Sequence, residues 1–172
     1  MFRIQITKLD AAKRQLETAI RLYFNDADPV SIHTLTGAAH SILSDLNKKC
    51  GGRPMLISDF PIKNEYRKEF KKIITEAKNY FKHADKDPDS TIEFCPDTND
   101  HFLFDACEKY MELTSEKVAF FIIYKAWYAN KYPGTIILSH DQNKKIGKSM
   151  KILCGNKAEF FSKMLSVTGG NV

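Results

Sequence analysis

The sequence predicts an all-α fold, a helical bundle of five to seven helices. Apolar side chains recur at three- and four-residue spacing through most of the chain, and cap residues, prolines and glycines punctuate those stripes. The most apolar run, Val118-Ala119-Phe120-Phe121-Ile122-Ile123-Tyr124, stops at Lys125, far short of the roughly 20 residues that cross a bilayer, and reads as a buried helix. Only residues 135–138 offer an extended alternative, a short strand or connector.

Thr7 and Asp10 approximate a capping box ahead of Leu9, Ala12, Leu16, Ala19, Ile20, Tyr23 and Phe24, which predicts a first helix over about residues 8–24. Asp10 precedes Arg14, and Glu17 precedes Arg21, by four residues. That is the helix-supporting order, so neither arginine requires a ligand. Asp28-Pro29 supplies a cap and a first-turn proline for a second helix with the stripe Ile32, Leu35, Ala39, Ile42, Leu43 and Leu46, ended by Gly51-Gly52. His33 and His40 lie on one flank of that stripe, about 10.5 Å apart along the axis, too far to share one metal ion readily.

A third helix is predicted over about residues 62–84, with Tyr66, Phe70, Ile73, Ile74, Ala77, Phe81 and Ala84 on one face and a lysine-rich, acid-diluted opposite face. Pro88 disfavours helix at Asp87, and a loop continues to about Pro96. Thr98 reads as the N-cap of a fourth helix over residues 99–112. A fifth begins after Thr114-Ser115 and runs through Phe120, Tyr124 and Trp127 to Pro133-Gly134. Helical pieces are expected around residues 143–152 and 156–166.

A chain of 172 residues suffices for one core, whereas two domains would each be unusually small. One helical domain is therefore expected, with a basic C-terminal segment over about 142–172. The formal charge of +5 permits acidic or phosphate partners without demanding them. Lys144, Lys145, Lys148, Lys151, Lys157 and Lys163 face a single acid, Glu159, in that segment, so Lys144, Lys145, Lys148 and Lys151 are candidate contacts for RNA or for an acidic protein partner. Phe160 and Phe161, the nearby aromatics, read as core residues. The amino terminus turns charged and helical before any run of signal-peptide length, and a cytoplasmic protein with no membrane contact is expected. Cys50, Cys95, Cys107 and Cys154 form no Cys-x-x-Cys pair, so free, mostly buried thiols are expected.

At the end of the third helix, Asn79 points away from the apolar stripe, with Lys78 and His83 towards opposite sides of the polar surface. The carbonyl ends there favour a positive charge, which suits a proton donor at His83 and equally a capping histidine. The segment Lys78-Asn79-Tyr80-Phe81-Lys82-His83 resembles the motif of the HEPN superfamily: arginine, four to six residues of which the first is polar, then histidine. The resemblance implies a dimeric, metal-independent RNA endonuclease in which His83 works in acid–base chemistry on a ribose 2′-hydroxyl, Asn79 orients the site and Lys78 stabilises phosphate. The motif departs from that pattern at Lys78, which lacks the planar fork of arginine. Separately, residues 8–24, 28–35 and 81–89 resemble an uncharacterised family of bacterial proteins, a likeness that implies a bacterial, cytoplasmic origin and no activity.

Asp85, Asp87 and Asp89 have the opening spacing of a calcium loop, but Ser90 stands where glycine is required and Pro96 where glutamate is. A looser site of His83, Asp85 and Asp87, joined by His33 or His40, would suit a divalent transition metal. His101 and His140 have no evident partner and stay outside the site. No phosphate loop, serine elbow, zinc-protease signature or dinucleotide fingerprint occurs. Three functions are thus expected: foremost an interaction protein, a homodimeric bundle without cofactor, and as alternatives an RNA endonuclease or a metal-binding protein.

Overall fold

A computed structural model of the chain describes residues 2–52, 64–85, 87–133 and 156–168, with backbone alone along 64–71. Among these residues the fold is entirely helical: α1 (Lys8–Phe24), α2 (Pro29–Lys49), α3 (Asn64–Tyr80), α4 (Thr98–Thr114), α5 (Ala119–Lys131) and α6 (Lys157–Thr168). None of these helices is long and apolar enough to cross a membrane.

The start of α1 is a complete capping box, in which Thr7 Oγ1 accepts from the Asp10 N–H and the Asp10 carboxylate accepts from the Thr7 N–H, both at 3.0 Å. Residues 25–28 fold α2 back onto α1. Asp26 takes a left-handed conformation (φ 51°), and Asp28 caps α2 by accepting from the Ser31 N–H at 2.7 Å. The α1–α2 pair is the most extensive helix contact, with α4 laid across both. The core between them holds Leu16, Ile20, Phe24, Leu43, Leu103, Phe121 and Tyr124, all essentially without solvent contact. At one end Phe24 stacks on Phe161 of α6, with centroids 4.5 Å apart and planes 10° apart.

Several boundaries differ from expectation. The third helix ends at Tyr80 rather than near 84, followed by a turn, so His83 lies beyond the helix; Ile73 and Ala84, expected on its apolar face, are exposed. The cap position of α4 is Asp97, not Thr98, whose hydroxyl donates instead to the Cys95 carbonyl at 2.7 Å. α5 starts at Ala119, because Ser115 closes α4 in the left-handed region (φ 57°) and residues 115–118 form the link. Of the described cysteines, Cys107 is buried but Cys50 and Cys95 are exposed, against the expectation of mostly buried thiols. Residues 135–138 and 143–152 lie outside the described residues.

Candidate functional site: a polar seam and the groove beside it

α3 packs on α2 through a face that is not apolar. His33, Gly37, His40 and Ser41 line that face of α2 at helical spacing. Lys78 crosses it: its Nζ donates to Ser41 Oγ at 3.0 Å, and Ser41 Oγ donates to the Gly37 carbonyl at 2.9 Å. Gly37 permits the crossing, since a Cβ there would stand 2.8 Å from Lys78 Cγ and 3.1 Å from Cδ. Burial pushes the Lys78 ammonium below the usual lysine range; the charge of Lys82 adds to the shift and Asp45 opposes it.

His33 has no solvent contact and sits among the rings of Phe81, Phe94 and Phe102, at centroid distances of 5.7, 5.1 and 5.0 Å. Its Nδ1 is 2.8 Å from Asn99 Oδ1, while Asn99 Nδ2 donates to the Pro29 carbonyl at 3.0 Å. Because that second bond fixes which end of the amide faces the ring, Nδ1 is assigned as the donor. Nε2 is buried with no hydrogen-bond partner among the described residues, although the Ile74 backbone lies near the ring. Burial lowers the His33 pKa below the usual histidine value; Lys82 and Lys78 add to that, and Asn99 and the Ile74 carbonyl oppose it. About two helical turns along α2, His40 Nε2 lies 2.9 Å from Asp105 Oδ2, and its ring meets that of Phe102 tilted at 48° with centroids 4.9 Å apart.

Beyond Tyr80 the chain turns outward. The Asn79 carbonyl accepts the N–H groups of both Lys82 and His83 at 3.1 Å, and the Tyr80 hydroxyl donates to the Ser90 carbonyl, which holds the following loop against the helix end. Between helix end and loop lies a groove of about 720 Å³ lined by, among others, Glu76, Asn79, Tyr80, His83, Asp85 and Asp87. Asn79 and His83 therefore line one groove, together with Asp85 and Asp87. Lys78 does not join them, because its side chain is drawn into the seam.

The α2 histidines are likewise committed to Asn99 and Asp105 rather than turned towards His83, and among the described residues no three His, Cys, Asp or Glu side chains gather as a metal-binding group. Lys144, Lys145, Lys148 and Lys151 lie outside the described residues, as does His140. Of the other two C-terminal lysines, Lys157 pairs with Asp26 and lies 4.3 Å from the Tyr23 ring centroid, and Lys163 pairs with Glu159. His101 has the partner it lacked in the sequence: its Nδ1 is 2.7 Å from the Tyr128 hydroxyl.

Sequence reasoning also missed Asp100. In the first turn of α4, where the helix N-terminus favours an anion, its buried carboxylate accepts from Lys131 Nζ and, at 2.7 Å, from the Tyr132 hydroxyl. No protein-family model matches the chain, and no curated protein and no solved structure matches it.

Proposed function

We propose that this chain is a helical binding protein whose contact surface is the groove at the end of α3, and that the groove takes a cationic group such as a lysine or arginine side chain of a partner. The separation of Lys78 from His83 carries this reading. With the lysine held on Ser41, the groove keeps Asn79, Tyr80 and His83 alongside the carboxylates of Glu76, Asp85 and Asp87, a lining dominated by hydrogen-bond acceptors. Such a lining attracts an ammonium or guanidinium and repels a phosphodiester.

Titrating pentalysine into 15N-labelled protein tests the proposal. Amide shifts concentrated at Asn79, His83, Asp85 and Asp87, and lost in the Glu76→Gln/Asp85→Asn/Asp87→Asn variant, are expected. Shifts spread evenly over every exposed acid would sink it.

One observation favours the RNA endonuclease as a second reading, namely that Asn79 and His83 line the same groove. Among the described residues that line the groove, none is a lysine or arginine that could hold a phosphate. RNA cleavage in EDTA that disappears in His83→Ala would replace the binding proposal with this one.

A further inference from the structure

We propose that residues 2–6 form a dimerisation arm, which pairs antiparallel with the same residues of a second copy about a two-fold axis at Ile4. This does not depend on what the groove binds. Ahead of α1 the chain runs non-helical and exposed from Phe2 to Thr7, and Phe2, Ile4 and Ile6 are 91%, 56% and 44% exposed. They alternate with Arg3 and Gln5, so in an extended chain the three apolar side chains share one face and the polar ones the other. Among the described residues, none of 2–6 takes part in a backbone–backbone hydrogen bond. In extended form this segment would offer its unpaired backbone groups and an uncovered apolar face, a template for pairing with another chain. Its exit from the bundle is fixed, because Thr7 is extended (φ −78°, ψ 167°) and locked to Asp10 by the capping box.

The polarity of the arm points to a second copy as the occupant. In the antiparallel register whose residue numbers sum to eight, Phe2 faces Ile6 of the other copy, Ile4 faces Ile4, and Arg3 faces Gln5. Apolar meets apolar, polar meets polar, and no like charges stand opposite. Parallel pairing in register would set Arg3 against Arg3. An isologous contact of this kind closes at two subunits. Two strands of five residues make a weak ribbon, so a concentration-dependent dimer is expected.

The register provides the test, on the full chain with Cys50, Cys95 and Cys154 changed to Ser. Directly opposed residues in an antiparallel pair have Cα atoms roughly 4.5–5.5 Å apart, within reach of a disulfide. Ile4→Cys should therefore oxidise to a covalent dimer, and a mixture of Phe2→Cys and Ile6→Cys should cross-link where neither does alone. By sedimentation, Gln5→Glu should tighten the dimer about two- to thirtyfold by adding two pairs with Arg3, and Gln5→Lys should loosen it, both effects fading with salt. A monomer at every concentration, association indifferent to both Gln5 variants, or equal cross-linking at all three positions would each overturn the proposal. The arm is exposed, and unchanged helical circular dichroism confirms that each variant is folded.

Discussion

Lys78 donates to Ser41 across the α2–α3 seam, and it reaches that hydroxyl because Gly37 has no side chain in its path. A motif lysine expected to face outward is thereby spent on holding two helices together.

That geometry predicts opposite effects of one substitution in two backgrounds. Gly37→Ala should loosen α3 in the native chain, read as faster hydrogen exchange of α3 amides, since the new Cβ displaces the Lys78 stem. With Lys78→Ala already present the clash is gone, and Gly37→Ala should stabilise by about 0.5–1 kcal/mol through helix propensity. The same sign in both backgrounds would contradict the contact.

Stability should fall on acidification through His33. Its folded-state pKa lies below the ordinary value of 6.5, so the unfolded chain takes up the proton first as pH drops. The stabilisation is complete above about pH 6.5 and is lost between there and the lower folded value; burial shifts His101 the same way. Urea unfolding at a series of pH values should show this loss, reduced in His33→Gln. An imidazole titration by NMR placing His33 above 6.5 would reverse the sign.

Asp100 and Lys131 differ in how well each survives without the other. Lys131 is 38% exposed and can turn to water, whereas Asp100 is 3% exposed and cannot. Lys131→Met should therefore cost about 3 kcal/mol by leaving the buried carboxylate its Tyr132 hydrogen bond but no Lys131 counter-charge. Adding Asp100→Leu should recover part of that loss in denaturant melts.

Phe161 anchors α6 by stacking on Phe24 and meeting Phe120 edge-on at 5.3 Å. Phe161→Ala should cost about 3–5 kcal/mol by opening a cavity, with α6 amides losing exchange protection before those of α1.

The thiols should separate by reactivity. Burial raises the Cys107 pKa well above the ordinary value, with Glu108 and Asp105 adding to the shift, so little thiolate forms and access is closed. Peptide-resolved mass spectrometry after iodoacetamide treatment should find Cys50 and Cys95 modified in the native protein and Cys107 only after unfolding.

The bundle itself was legible wherever local chemistry and apolar period agreed. Thr7 with Asp10, and Asp28 with Pro29, set the starts of α1 and α2 by bonds the sequence names directly. The apolar stripe overestimates α3 because Phe81 continues it by spacing, yet Phe81 meets His33 from the turn after Tyr80. The seam was not legible because a count of apolar residues passes over a face that buries His33, Thr36, Gly37 and Asn47. Burial of such groups depends on partners far along the chain, Asn99 for His33 and Lys78 for Gly37. The one available signal was a glycine inside a helix flanked by His33, His40 and Ser41. Alternation over Phe2, Ile4 and Ile6 is equally plain in the sequence, but only their exposure in the structure leaves that face uncovered.

The seam would make α3 a reporter of the proposed occupancy. α3 rests on α2 through Lys78, which bonds Ser41 and packs its stem on Gly37, and on Phe102 through Ile74, while its final turn forms one wall of the groove and the loop at Ser90 the other. A molecule that fills the groove must grip both walls. If the groove binds as proposed, linkage makes its occupant raise the free energy of α3 opening as much as α3 ordering favours binding, and changes in the seam would then tune that affinity without touching the lining.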